Sequence, residues 1–318
     1  MHRLAPAHIE ALHELVEKTR HIQADRVTRA DFDCGLINEL MVGVRDTLMK
    51  GRGAIILAGL DPWRTSLEDF GRMHWGLGTH IGEGAPQSYR RDRIGYVQKE
   101  ADNPTGRGYL MDVELRPHTD FHEIMSLAAY RKAASGGESG LVSSLAIHNA
   151  ILQSHPEHLQ PLYEGFYSEW GGGRAVTEEK IPLFCFVEEK VSCYYHLPAF
   201  LHGATVKGIP VPEDLRAAAM YFDSLADRPD LRANFMLEPG ELVFWHNFTV
   251  LHSRAAFQDS AEQKRLLLRL WLSVSNGRPM HPAYNERARL MDIDHQSGRP
   301  SIDYVKLNSL AQQGVGTR

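Results

Sequence analysis

The sequence predicts a mainly β protein with covering helices, built as a β-sandwich or jelly roll. Three observations predict it. From about residue 94 onward, short apolar runs alternate with Gly, Pro and polar turns. Ahead of them, residues 6–20 and 32–49 carry apolar side chains at helical spacing, as at Leu36, Leu40, Val44 and Leu48. Residues 265–272 read Arg-Leu-Leu-Leu-Arg-Leu-Trp-Leu. In a strand, Leu266, Leu268, Leu270 and Leu272 share one face, and Arg265, Leu267, Arg269 and Trp271 share the other. Four leucines on one face need cover, which the N-terminal helices can supply. Many short strands with covering helices point away from a parallel α/β sheet.

In chain order, Asp31 is the expected N-cap of the second helix, and Ala54–Leu60 the first buried strand. Thr65 or Ser66 caps a helix over 67–76, with Glu68 and Asp69 where carboxylates favour a helix N-terminus. Strands are expected at Ile94–Val97, Tyr109–Leu115, Ile124–Tyr130 and Leu183–Val187. Pro212 precedes Glu213 and Asp214 at the start of a helix over 213–227. Glu238-Pro239-Gly240 turns the chain into a strand at Glu241–Trp245, and the last strand covers 265–274.

With 318 residues, 43% hydrophobic and 24% charged, the composition is that of a globular chain with a large core. The net charge of -5 provides no global basic field for nucleic acid, and the cluster of Arg90, Arg91 and Arg93 reads as a solvated surface. Three cysteines, Cys34, Cys185 and Cys193, form no C-x-x-C pair, which fits a reducing cytosol; a Cys185–Cys193 bridge has only proximity behind it. No apolar run suits a signal core or a membrane span.

His118-Thr119-Asp120 places a histidine and a carboxylate on one side of a strand or its edge. His252, in Val250-Leu251-His252-Ser253-Arg254, is the best candidate for a third ligand. Two His and one carboxylate on one face of an octahedral ion leave three positions open, as in non-haem iron(II) oxygenases. H-x-D alone is weak in a chain with 17 histidines. His122 opens a rival, because in a continued strand it faces the same way as His118 and Asp120 and completes a zinc site. The two arginines of 265–272 need anionic partners if buried, and internal salt bridges to Asp or Glu are the plainer account of them.

The chain resembles the taurine dioxygenase/TfdA-like family of iron(II)/2-oxoglutarate enzymes. The resemblance rests on P-H-T-D at 117–120, S-G-G-E-S at 135–139, L-E-P-G-E-L-V-F at 237–244, L-H-S-R at 251–254 and K-R-L-L-L-R-L-W-L at 264–272. It implies a double-stranded β-helix, cupin-like, with residues 1–318 as one catalytic domain. In it, helices of about 1–52 pack on the jelly roll, and a variable lid spans about 165–235. Gly171-Gly172-Gly173, Tyr194, Tyr195 and His196 fall in that lid. The implied iron(II) ligands are His118, Asp120 and His252. Arg265 then pairs with the distal carboxylate of 2-oxoglutarate, and Ser139 stands where relatives use a threonine on the same carboxylate. Arg269 is a candidate substrate or supporting residue. Asn247 sits near a family asparagine and reads equally as structural. Tyr96, Tyr109, Phe121 and His122 flank the ligands and read first as core, then as substrate contacts; Trp245 and His246 either shape the pocket or pack.

The implied reaction consumes O2 and 2-oxoglutarate, releases succinate and CO2, and oxidises a C–H bond of a small substrate. Hydroxylation is the expected outcome, with desaturation, cyclisation or fragmentation as variants. The carboxylate of Asp120 argues against halogenation, whose enzymes carry a small residue there. Two arginines near the metal favour a substrate with an anionic group, and homo-oligomers are frequent in the family. Two other readings stay open from the residues themselves: a zinc hydrolase using the same His/Asp cluster, and a non-catalytic barrel binding a small anion through Arg265 and Arg269.

Overall fold

The computed structural model describes residues 1–87, 92–101, 103, 108–168 and 176–284. Three helices form one outer layer. Helix α1 (Pro6–Thr19) begins with Pro at its first turn and buries Leu12, Leu15 and Val16. Helix α2 (Gly35–Met49) buries Ile37, Met41, Val44 and Leu48, whereas Leu36 is exposed, so the apolar face is rotated from the expected one. Cys34 occupies its N-cap; Asp31 instead accepts the backbone N–H of Thr28 at 2.9 Å, so the expected cap is consumed in a local turn and the helix begins later. Helix α3 (Leu67–Thr79) is capped by Ser66, whose hydroxyl accepts from Asp69 N at 3.1 Å, and it runs past residue 76.

The strands, in order, are β1 (His2–Arg3), β2 (Ala54–Ala58), β3 (Glu83–Gly84), β4 (Gly95–Val97), β5 (Leu115–His118), β6 (Ile124–Arg131), β7 (Ser135–Gly136), β8 (Ser139–Ser143), β9 (Phe184–Val187), β10 (Lys190–Cys193), β11 (Arg232–Phe235), β12 (Leu242–His246), β13 (Val250–Arg254), β14 (Phe257–Gln258) and β15 (Leu266–Ser273). The larger sheet runs β1-β2-β12-β6-β15-β3 with β4 also on β15; the smaller runs β11-β8-β13-β5. Except for the parallel β1–β2 pair, the ladders of both sheets are antiparallel. Neither sheet closes on itself, so the described strands form an open two-sheet jelly roll, and Arg269 of β15 lies against Tyr109 and Trp271 in an inter-sheet space instead of a barrel lumen.

Strand β15 divides two cores. Leu268, Leu270 and Leu272 pack with Phe70, Leu77, Met41 and Leu15 beneath the helices. Leu267 and Trp271 pack between the sheets with Val97, Met125, Val243, Trp245 and Val250. Leu266, expected on the leucine face, precedes a register shift against β6 and stands outside the helical cluster. The expected strand at Tyr109–Leu115 is also corrected: Gly108–Leu110 is a 3-10 turn, and pairing starts only at Leu115. The cause is visible in its carbonyls, since Gly108, Met111 and Val113 all turn onto the Arg254 guanidinium instead of a neighbouring strand.

A third core joins α4 (Ser144–Ser154), α5 (Leu159–Glu164), α6 (Leu197–Lys207) and α7 (Glu213–Ala226) to the β9–β10 hairpin through Ile147, Leu162, Phe184, Tyr194 and Phe222. Tyr194 and Tyr195 are each 1% exposed within it. Gly171–Gly173, Arg90 and Arg91 lie outside the described residues. Cys34, Cys185 and Cys193 are free thiols. No helix among the described residues is long and apolar enough to cross a membrane.

Candidate metal centre

Strands β5 and β13 pair so that His118 and His252 are direct cross-strand partners. Their imidazole centroids are 4.2 Å apart. Strand β5 ends at His118, and the next residues leave the sheet. Thr119 N donates to Tyr195 O at 2.8 Å, and Thr119 Oγ1 accepts from Tyr195 N at 3.0 Å. This bend turns Asp120 back toward the histidines: its Oδ1 is 4.0 Å from His118 Nε2 and its Oδ2 3.8 Å from His252 Nε2. One donor atom from each of the three lies within 4.8 Å of the others, close enough to share one ion.

The donors are also in ligand-ready form. His118 Nδ1 donates to Arg116 O at 2.7 Å, which leaves the Nε2 lone pair for a metal. Burial works against the Asp120 charge, but His252, Arg269 and His118 outweigh it and hold the carboxyl down at about 2. Burial first, and the neighbouring His118 second, push His252 down to about 3, so at neutral pH it is an uncharged imidazole. Two neutral or lone-pair imidazoles and one carboxylate fit a divalent first-row metal with open positions. His122 does not join them. Because β5 has already ended, its ring turns away to hydrogen-bond Ser273 Oγ at 3.1 Å, and burial pushes it down to about 4. The zinc alternative that counted His122 on a common strand face thus loses that ligand.

Arg265 is 4% exposed, and its Nη1 has no hydrogen-bond partner among the described residues. Burial first, and Arg254 second, push it down to about 9, while Asp259 opposes. Asp259 Oδ1 takes the Arg265 backbone N–H, so among the described residues the expected internal salt bridge is not found at Arg265, whereas Arg269 has one, to Asp120. A buried cation with an unused donor is a seat for an anion. Ser139 is buried in β8, opposite Arg254 of β13. Arg254, not anticipated as a site residue, has its Cζ 5.0 Å from the Phe257 ring centre while Arg265 lies 5.2 Å from the same ring.

Arg269 lies beside Asp120: Nη1 is 3.9 Å from Asp120 Oδ2, and Nε donates to Gln87 Oε1 at 2.7 Å. Tyr109 and Trp271 face its guanidinium at 4.4 and 4.7 Å. Trp271, which the sequence places on the same strand face, donates its indole N–H to Asp120 Oδ2 at 3.2 Å. Asn247 is fully buried; its Oδ1 accepts from Asp120 N and its Nδ2 donates to Asp120 O, both at 2.9 Å. Phe121 stands edge-on to Trp271 at 5.9 Å. Tyr96 is 45% exposed on β4. Trp245 lies 4.9 Å from the His252 ring, and His246 Nε2 donates to buried Glu123 Oε1 at 3.1 Å.

Residues 15–271 match the family described as Taurine catabolism dioxygenase TauD, TfdA family. FR-33289 synthase of Streptomyces rubellomurinus is 28% identical over 282 residues, covering 83% of this chain and 83% of its own length. The structure of asparagine oxygenase in complex with Fe(II), 2S,3S-3-hydroxyasparagine and succinate matches with a TM-score of 0.70 at 14% identity, over 86% of this chain and 93% of that one. Non-heme iron oxygenase OrfP in complex with Fe and alpha-ketoglutaric acid matches with a TM-score of 0.63 at 16% identity, over 86% of this chain and 94% of that one. Family and fold together define an enzyme of the iron(II)- and 2-oxoglutarate-dependent dioxygenase class. The chain belongs to the taurine catabolism dioxygenase TauD, TfdA family.

Proposed function

We propose that this dioxygenase hydroxylates a C–H bond of a small substrate that carries an anionic group, with His118, Asp120 and His252 as its iron ligands. The observation that carries the reading is the convergence of those three side chains from two separate stretches of chain. When bound, the iron activates O2 at the expense of 2-oxoglutarate, which leaves as succinate and CO2.

The remaining residues bind, orient and exclude water. Arg265 receives the distal carboxylate of the keto acid, with the Ser139 hydroxyl as a second donor. The unused Nη1 of Arg265 supports this role, because an incoming carboxylate relieves a buried, unpartnered donor. Arg269, Tyr109, Phe121 and His122 border the space beside Asp120 in this reading, and Arg269 supplies positive charge to a substrate anion. Tyr96 is given no substrate contact, since it is exposed on the outer strand. Asparagine oxygenase in complex with 2S,3S-3-hydroxyasparagine and succinate, and OrfP in complex with succinate and (3S)-hydroxy-L-Arg, share this fold, which supports a small polar acid as substrate. The chain acts as one catalytic domain, with 1–52 packed on the sheet and the described part of 165–235 covering the site. The enzyme is taken to work in the cytosol as a homo-oligomer.

The test is anaerobic reconstitution with iron(II) and 2-oxoglutarate, followed by a screen of small acids for the visible-band shift that accompanies loss of metal-bound water. A hit must then consume O2 and form succinate in step with a hydroxylated product. Absence of the keto-acid band, with oxygen-independent turnover instead, would overturn the proposal.

A further inference from the structure

We propose that Trp271 is a positioning residue that restricts Asp120 to one metal-binding oxygen. The inference rests on the metal site proposed above. A carboxylate beside a metal can bind through one oxygen or through both, and a second oxygen on the ion would occupy a position that the keto acid or O2 requires. In this chain Oδ2 already accepts the indole N–H of Trp271 at 3.2 Å, and Arg269 Nη1 lies 3.9 Å from the same oxygen. Both oxygens face the histidines, Oδ1 at 4.0 Å from His118 Nε2 and Oδ2 at 3.8 Å from His252 Nε2, but only Oδ2 carries the indole N–H, so Oδ1 is the one left for the ion.

The donor is well fixed. Trp271 is 4% exposed and held between the sheets with Met125, Val243 and Trp245. It lies across from Met125 in the β15–β6 ladder, and the packing around it restricts its ring. The Asp120 backbone is clamped independently by Asn247. With its backbone fixed at one end and Oδ2 tied at the other, the carboxylate has lost its freedom to rotate onto the ion. Hydrogen bonds of this kind tune a metal through its ligand. Trp271 therefore acts through Asp120 and need not touch substrate.

The experiment uses cobalt(II) alone as the probe, whose visible absorption weakens as coordination number rises. Wild-type protein and Trp271→Phe are titrated with cobalt(II), then with 2-oxoglutarate. Trp271→Phe keeps an aromatic ring and removes the N–H. The expected result is a weaker cobalt spectrum in the variant, a several-fold loss of 2-oxoglutarate affinity, and a melting temperature close to wild type. Identical cobalt spectra and identical 2-oxoglutarate affinity in the two proteins would overturn the proposal. A second measurement needs no folded Trp271 variant: in zinc-loaded wild-type protein, one indole N–H signal must be slow to exchange and must move in Asp120→Ala. No such signal overturns it too. If the wild type takes up no cobalt at the His118 cluster, the metal-site reading itself fails; if it does and Trp271→Phe is silent, only the role of Trp271 fails.

Discussion

Asn247 and Asp120 are joined by two reciprocal hydrogen bonds, each 2.9 Å, between an amide side chain and a peptide backbone. The clamp links the turn after β12 to the bend after β5, and so holds both peptide groups of Asp120 beside the proposed metal ligands. Asn247→Ala orphans both groups. The expected cost is about 1–3 kcal/mol of stability for a buried group left unsatisfied, and about 10–100-fold in metal affinity. Chemical denaturation and metal titration check the two effects separately; a variant with unchanged metal affinity contradicts the clamp's role at the site.

Arg265 makes the opposite prediction for the apoprotein. Its cation is buried and its Nη1 unpartnered, so Arg265→Met relieves a desolvated charge. The apo variant is expected to melt at or above the wild-type temperature. Its affinity for 2-oxoglutarate is expected to fall about 10–150-fold, the size of about 1.5–3 kcal/mol of charge-assisted hydrogen bonding. Calorimetric titration with the keto acid decides it, and unaltered affinity removes Arg265 from the binding site.

Asp223 predicts a pH dependence. Burial raises its carboxyl to about 6, against the lowering effects of the Tyr195 hydroxyl, which donates to it at 2.5 Å, and of Arg116. An unfolded aspartate titrates near about 3.9. The folded state therefore binds this proton more tightly, and its contribution to stability is present in full below about pH 4. It is lost as pH rises through about 6, by at most about 3 kcal/mol. Asp223→Asn should flatten the denaturation free energy over that window. Parallel pH profiles for the two proteins contradict the assignment.

Leu270 is fully buried under the helical layer. Leu270→Ala is expected to lower stability by about 2–5 kcal/mol through lost burial and a residual cavity. Binding of 2-oxoglutarate by the folded fraction should persist, because the affected face of β15 is turned from the arginines. Denaturation curves and keto-acid titration together test this separation.

The cluster of His118, Asp120 and His252 was legible as candidate residues because its pattern is local in each half: P-H-T-D lies at the end of β5 and L-H-S-R on β13. Alternation along 265–272 likewise predicted which side of β15 meets the helices. Other features depend on contacts that no periodicity encodes. The failure at Tyr109–Leu115 came from Arg254, more than a hundred residues later, taking the Met111 and Val113 carbonyls that a strand would have paired. The turning of His122 away from Asp120 follows from the end of β5, which Tyr195 enforces through Thr119. Trp271 could be placed on the arginine face, yet its acceptor Asp120 arrives from that same bend, so the hydrogen bond was invisible to spacing. Helix α4 was missed despite its Ser143 cap, which accepts from Ala146 N at 3.2 Å.

Strand β15 presents Leu268, Leu270 and Leu272 to the helices, and Leu267, Arg269 and Trp271 to the inter-sheet space. A one-residue slip against β6 would exchange these faces, thrusting the Arg269 guanidinium into hydrocarbon and leucines toward the ligands. Misaligned molecules would therefore be unstable as well as inactive.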